Sequence, residues 1–261
     1  NLSPWKKLIN KTMNEQAPTV NVGVVAKYLN NKDTYMSVFE ALTAAAWSHD
    51  YQVNIKWIDA EHITEKNIKS KLKGVDGIVV PGGFGLRGLE GKIIAAQYAL
   101  RHKVPYIGLC LGLQMAVVAA ARNAGLKKAN SIELDPLTPD PVVHIMEDQK
   151  SITDMGGTMR LGNYECRLQP GTLAKEVYGS NTVFERHRHR FECNNAYREE
   201  YENWGIKIAG LSPDGKLVEM IEGLNHTYFL AAQSHPEFNS RPNKPQPMFA
   251  GFIKALINKK K

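Results

Sequence analysis

Cysteine is scarce in this sequence of 261 residues. Cys110, Cys166 and Cys193 are odd in number, far apart and without a Cys-x-x-Cys pair, which argues against a disulfide framework and against a structural zinc or other metal site. That usage points to a reducing, cytoplasmic compartment. No apolar run approaches the roughly 20 residues of a membrane span, and the N-terminus has no secretory hydrophobic region, so no membrane role is expected. The Gly-x-x-x-x-Gly-Lys-Ser/Thr loop of nucleotide-binding proteins is also missing, as are internal repeats and low-complexity tracts. The first residue is Asn1 rather than methionine, as expected of a piece of something longer.

What is present is an ordinary globular composition, 43% hydrophobic and 23% charged, long enough for one large α/β domain. The formal charge of +7 invites a nucleic-acid reading. It is spread along the chain, however, with local clusters only at residues 186–190 and at the final lysines, and no nucleic-acid partner is expected.

The stretch 104–121 reads as a short buried strand, a tight turn and an alanine-rich helix, with Cys110 between Gly108 and Gly112. A cysteine where a strand stops and a helix starts meets unpaired N–H groups and the positive end of the helix dipole, which favour the thiolate. This is the pattern of a nucleophile elbow. A buried structural cysteine is the alternative, and the rest of the chain must decide.

Strand and helix alternate through the first half. A short helix is capped by Ser3 and begins at Pro4; strands follow at 20–26, 52–58 and 77–80, with helices through Met36, Val38, Phe39, Leu42 and Ala46, then at 63–72 and 91–101. That rhythm predicts an α/β fold: a mostly parallel, doubly wound central sheet flanked by helices. After Gly125 the pattern changes. Prolines interrupt 136–141, residues 147–153 are polar and expected to be mobile, and strand-like runs follow at 158–168, 182–193, 205–211, 216–222 and 228–233. The turn Ser212-Pro213-Asp214-Gly215 separates two of them. These are additional antiparallel or mixed strands expected to extend or cap the same sheet, and a last helix covers 248–256. Gln16-Ala17-Pro18 breaks the first helix, and no later composition shift is large enough for a domain boundary, so 18–261 reads as one domain.

A thiolate needs a base, and the base an orienting acid. Of eight histidines, His235 follows an apolar strand, and in an extended segment Glu237 would point the same way, two residues on. Pro81-Gly82-Gly83-Phe84-Gly85 ends the strand beside the elbow. Its glycines let backbone N–H groups approach an oxyanion, and it reads poorly as a nucleotide site.

Gly108-Leu109-Cys110-Leu111-Gly112-Leu113-Gln114, with Pro81-Gly82-Gly83 upstream and His235-Pro236-Glu237 downstream, resembles the triad (class I) glutamine amidotransferases. Five further segments, Lys27-Tyr28, Asp33-Thr34-Tyr35-Met36-Ser37-Val38, Ala129-Asn130-Ser131, Gly156-Gly157-Thr158-Met159-Arg160-Leu161-Gly162 and Glu185-Arg186-His187-Arg188-His189-Arg190-Phe191-Glu192, look like the C-terminal glutaminase domain of the CTP synthase family.

The resemblance implies that Cys110 attacks the glutamine side-chain amide, His235 moves the proton and Glu237 orients His235. It implies an oxyanion hole from the N–H groups of Gly83 (or Gly82) and Leu111, a pocket including Gly112 and Leu113, and a substrate α-amino group bound by Gln114 and Glu133. Arg190 would take the α-carboxylate. It further implies that L-glutamine yields glutamate and ammonia, and that the ammonia aminates UTP to CTP in an N-terminal synthase domain of the same polypeptide. Residues 1–17 would be an interdomain linker. ATP and magnesium would act in that domain, with no cofactor in this one, and the whole enzyme would be a homotetramer. The isolated chain would be monomeric or weakly dimeric.

Outside the resemblance, Glu133 reads as a surface or helix-end carboxylate and residues 186–190 as a solvated or nucleic-acid-binding face. In a strand Arg186, Arg188 and Arg190 would share one face and His187 and His189 the other. Cys166 and Cys193 read as packing residues. Three positions depart from the family pattern: Leu113 where methionine is usual, Ala26 for a glycine and Ser234 for an aromatic residue. Three alternatives stay open at this point. They are a stand-alone γ-glutamyl peptidase, a non-catalytic module that keeps the fold, and an α/β-hydrolase with a cysteine elbow, whose acid normally precedes its histidine.

Overall fold

The computed structural model describes residues 2–29, 32–145 and 159–260. The stretch 147–153 and the Gly156, Gly157 and Thr158 part of the family string lie outside them. In the first half, α1 (Ser3–Thr12), β1 (Thr19–Ala26), α2 (Met36–Ser48), β2 (Gln52–Asp59), α3 (Ile68–Lys71), β3 (Gly77–Val80), α4 (Leu89–His102), β4 (Tyr106–Leu109) and α5 (Leu111–Asn123) follow the expected alternation. Ser3 is the first residue of α1 rather than its cap, which is Leu2.

The helix expected over 63–72 shrinks to the four residues of α3. Thr64 and Asn67 explain it: the Thr64 N–H donates to Asn67 Oδ1 at 2.9 Å and the Asn67 N–H to Thr64 Oγ1 at 3.3 Å. These reciprocal bonds satisfy the backbone in a non-helical turn and set the helix start after it.

The second half contains β5 (Ala129–Ser131), β6 (Asp140–Ile145), β7 (Arg160–Leu168), α6 (Leu173–Tyr178), β8 (Thr182–His189), β9 (Phe191–Cys193), β10 (Ile206–Leu211), β11 (Val218–Gly223), β12 (Phe229–Ala232) and α7 (Pro247–Lys260). The main sheet has nine strands in the order β2-β1-β3-β4-β12-β11-β10-β7-β8. Its first five strands pair in parallel and the remaining pairings are antiparallel. The single strand expected over 182–193 is two. The ladder with β7 ends where His189 meets Arg160, and Phe191 opens a different ladder opposite Ile145 in a small sheet of β5, β6 and β9.

Period-two alternation buries both faces of the parallel half. Ile78, Val80, Tyr106, Phe229 and Ala231 pack with α4 and α5 on one side. On the other, Val79, Ile107, Leu109, Leu230 and Ala232 pack with α2 and α7. β3, β4 and β12 are thus adjacent, parallel and fully buried. Their C-terminal ends open on one edge, where doubly wound sheets carry their sites.

Candidate active site

Each of those three strand ends delivers one part of the site. From β4 the chain turns at Cys110, whose φ of 53° and ψ of −103° place it in a region that only a constrained turn holds. The flanking glycines are required by contact: a Cβ on Gly108 would lie 2.7 Å from the Gly112 carbonyl oxygen, and one on Gly112 would lie 2.0 Å from that of Val80. Cys110 thereby becomes the N-cap of α5. Leu111 and Gly112 open the helix, where N–H groups have no carbonyl four residues earlier.

From β12 the chain runs through Gln233 and Ser234 to His235. The His235 ring places Nδ1 2.8 Å from Glu237 Oε1, and a side-chain hydrogen bond joins it to Cys110. Burial disfavours the imidazolium, but the charges of Cys110 and Glu237 outweigh it and hold His235 well above the usual imidazole range. The His235–Glu237 pairing is as expected, though the geometry is not. Pro236–Asn239 is a 3₁₀ turn, so the carboxylate returns to the imidazole by curling rather than along an extended strand. Among the described residues the buried Glu237 Oε2 has no hydrogen-bond partner.

From β3 comes the loop beginning Pro81-Gly82-Gly83. A Cβ on Gly82 would stand 2.9 Å from His235 Cε1 and 3.5 Å from Cys110 Cβ, so only glycine lets this backbone lie against both side chains. Residues 83–88 also carry a Gly-x-Gly-x-x-Gly spacing between a strand and a helix, the pattern of a dinucleotide loop. Here the N–H of Gly85 donates to Glu133 Oε1 at 3.1 Å. A carboxylate therefore stands where a phosphate would have to bind.

Cys110 opens on a cavity of about 400 Å³ lined by Gly83, Leu111, Gln114, Glu133, His189 and Arg190 among others. Of the residues expected in a binding pocket, Gly83, Leu111, Gln114, Glu133 and Arg190 are brought together here. Gly82, Gly112 and Leu113 are not in the lining: Gly82 supports His235, Gly112 packs on Val80, and Leu113 is buried in the core. Burial pushes the Glu133 carboxyl up, opposed by the Gly85 N–H and by Lys27. The buried Lys27 amine, pulled down to about 8 chiefly by desolvation, donates to the Gly85 carbonyl. Arg190 does not share an exposed strand face with Arg186 and Arg188. It follows the end of β8, is buried, and lies beside His189 in the cavity wall. A larger groove of about 590 Å³ around Phe184, Glu185 and Pro245 is lined by Arg186 but by neither Cys110 nor any other residue of the cavity wall.

Two contributors, Gln233 and Lys92, went unread in the sequence. Gln233 Nε2 lies 3.8 Å from Cys110 Sγ, and its Oε1 accepts from Gln114 Nε2 at 3.3 Å. The Gln114 amide also donates to the Phe191 carbonyl at 2.9 Å. Lys92 donates to the Pro81 and Gly82 carbonyls at 2.7 and 3.3 Å. Its signal was present: Lys92 falls on the apolar stripe of Leu89, Ile93, Ala96 and Ala99. Among the described residues no group of three or more His, Cys, Asp or Glu side chains could hold a metal ion, and no helix is long and apolar enough to cross a membrane.

An elbow cysteine, a histidine–carboxylate pair and facing backbone N–H groups can form and break an acyl thioester. Comparison with known proteins agrees in class. The glutamine amidotransferase class-I family model matches residues 31–255, and the chain belongs to that family. Within the family it is similar to CTP synthases: it is 50% identical to that of Bacillus subtilis over 98% of this chain and 54% identical to that of Caldanaerobacter subterraneus over 99%. The chain spans about half the length of these relatives, 48% of each. Among solved structures, the Trypanosoma brucei CTPS glutaminase domain with bound acivicin matches at a TM-score of 0.85 and 36% identity, covering 92% of this chain and 94% of that one.

Proposed function

We propose that the chain is the glutaminase half of a CTP synthase, hydrolysing L-glutamine to glutamate and ammonia through a thioester on Cys110. The observation that carries this reading is the convergence of Cys110, the His235–Glu237 pair and the Gly82-Gly83 loop at three adjacent strand ends, over a cavity with a carboxylate, Glu133, and a guanidinium, Arg190, in its wall. An amino acid carries a cation and an anion on one carbon, and such a pair of walls complements both.

The Cys110 thiolate attacks the side-chain carbonyl carbon, and the oxyanion that forms takes hydrogen bonds from the N–H groups of Gly83 and Leu111. His235 gives its proton to the departing nitrogen as the C–N bond breaks, releasing ammonia and leaving the γ-glutamyl thioester. A water molecule then loses a proton to His235 and attacks. The thioester C–S bond breaks, and glutamate leaves with Cys110 restored. Glu237 fixes the His235 tautomer throughout. Gln114 and Glu133 bind the α-amino group and Arg190 the α-carboxylate.

In this reading the ammonia passes to an N-terminal synthase domain of the same polypeptide, where ATP and magnesium support amination of UTP. The whole protein is a cytoplasmic homotetramer, residues 1–17 are the link between its halves and residues 18–261 the glutaminase domain. The test separates the two activities in the protein as it occurs, with any preceding segment retained. Cys110→Ala should end CTP formation from glutamine and leave CTP formation from added ammonia. Persistence of the glutamine-dependent reaction would overturn the assignment.

A further inference from the structure

Lys92 is completely buried in the first turn of α4, and among the described residues no carboxylate pairs with it. A lysine on an apolar stripe loses the hydration of its amine, and leucine or methionine would fill the same space without that loss. Burial accordingly pulls the Lys92 amine down to about 7. What Lys92 gains is its pair of bonds to the Pro81 and Gly82 carbonyls, 2.7 and 3.3 Å long. Both carbonyls belong to the loop that lies against His235 and Cys110.

The peptide between Gly82 and Gly83 decides what those bonds do. In a planar trans peptide the C=O and N–H point in opposite directions. With the Gly82 carbonyl drawn toward Lys92 on the α4 side, the Gly83 N–H faces away from α4, and Gly83 lines the cavity together with Cys110 and Leu111. A Cβ on Gly82 would lie 3.5 Å from Cys110 Cβ, and one on Gly112 would lie 2.0 Å from the Val80 carbonyl oxygen, so the end of β3 and the start of α5, which carry the two donors, adjoin. A glycine pair has little conformational preference of its own, and without Lys92 this peptide can rotate its N–H out of the cavity.

We propose that Lys92 is a positioning residue for glutamine hydrolysis: by holding the Pro81 and Gly82 carbonyls from behind, it fixes the Gly83 N–H as an oxyanion donor. The inference rests on the glutaminase reading above. Its role lies in the transition state, because the substrate's neutral amide needs this donor less than the tetrahedral oxyanion does.

The test is Lys92→Met in the protein as it occurs. The expected result is a fall in kcat of about 10²–10³-fold, the size that follows loss of one oxyanion donor, with the KM for glutamine within about threefold of the parent. Alkylation of Cys110 by iodoacetamide, which forms no oxyanion, should stay within about threefold when read at a pH where the thiol is fully ionised, so that the charge of Lys92 acting on Cys110 does not enter, and the melting temperature should not fall. A parent-like kcat would overturn the inference. So would a loss of alkylation and of glutamine affinity in step with kcat, since Lys92 would then be a general strut. If K92M does not fold, Lys92→Gln, polar but one bond shorter, is read by the same criteria. Absence of glutamine turnover in the parent sinks the underlying glutaminase reading, whereas a parent-like K92M sinks this inference alone.

Discussion

His235 beside Glu237, and the pair of His187 and His189 beside Glu219, are both buried histidine–carboxylate clusters, and they are driven to opposite charge states. In the first, the imidazole itself is the ion-pair partner of the carboxylate, at 2.8 Å, and His235 is held well above the usual range despite its burial. In the second, Arg160 takes both oxygens of Glu219, at 3.1 and 2.7 Å. His187 stands at 3.7 Å from the same carboxylate. Desolvation, with the Arg160 guanidinium beside them, drives His187 down to about 2 and His189 to about 3. Cys110 and then Glu237 together outweigh burial at His235, whereas the Glu219 carboxylate is already taken by Arg160 and, among the described residues, no anion is left to charge His187 and His189. The His187–His189 contact, 3.0 Å between ring nitrogens, is a neutral strut. It braces β8 where Arg188 offers its carbonyl to Cys110 at 3.7 Å.

The comparison breaks most sharply at His235. His235→Gln should lower glutamine turnover about 10⁴-fold or more while leaving the fold intact, as read by steady-state kinetics and circular dichroism. Glu237→Gln, which keeps the shape and removes the charge, should cost roughly 10²–10⁴-fold in kcat. Glu219→Gln should do the reverse: strip the buried Arg160 of its counter-charge and destabilise the fold by about 3–5 kcal/mol in urea unfolding, with kcat per folded molecule within about tenfold. Equal kinetic losses at Glu219 and Glu237 would erase the distinction between the clusters.

Acidity sharpens it further. The neutral state of His187 and His189 is favoured only in the folded protein, so between about pH 3 and the ordinary imidazole value near 6.5 the unfolded chain binds more protons. Stability should fall as pH drops through 6.5, by up to about 1.4 kcal/mol per pH unit for each histidine. His235 has the opposite sign: its contribution is complete below 6.5 and is lost as pH rises through its elevated folded value. His189→Gln, which can still donate to the Phe191 carbonyl, should flatten the acid arm of the stability curve, and an unchanged slope would contradict the assignment. The smallest effect belongs to Leu113→Met. This volume-conserving change in the core should cost less than about 1.5 kcal/mol and leave turnover unchanged.

The sequence carried more of this site than of the fold around it. Alternating strands and helices set the parallel half of the sheet, and the glycines at 108 and 112 marked the elbow, because local patterning and steric need are written residue by residue. Lys92 and Gln233 were missed for a shared reason: a buried polar residue looks like a pattern error until its acceptor is placed beside it by tertiary packing. Arg190 was assigned to a strand face because period two was carried past His189, where the ladder with β7 ends. The helix over 63–72 failed on a side-chain bond between Thr64 and Asn67 that hydrophobic periodicity does not register. α6 was passed over because six residues give too little periodicity, although its Thr172 cap, which accepts from the Lys175 N–H at 3.2 Å, and Gly179 stop were both present.

The most direct measurement is intact mass after incubation with an electrophilic glutamine analogue, with and without excess glutamine, on the parent chain and on Cys110→Ser. A reactive thiolate in a formed glutamine pocket requires a single adduct on Cys110, suppressed by glutamine and absent in the variant. Labelling of Cys166 or Cys193 in its place, or an adduct on Cys110 that glutamine does not suppress, would contradict the claim that this elbow is a glutamine-specific nucleophile.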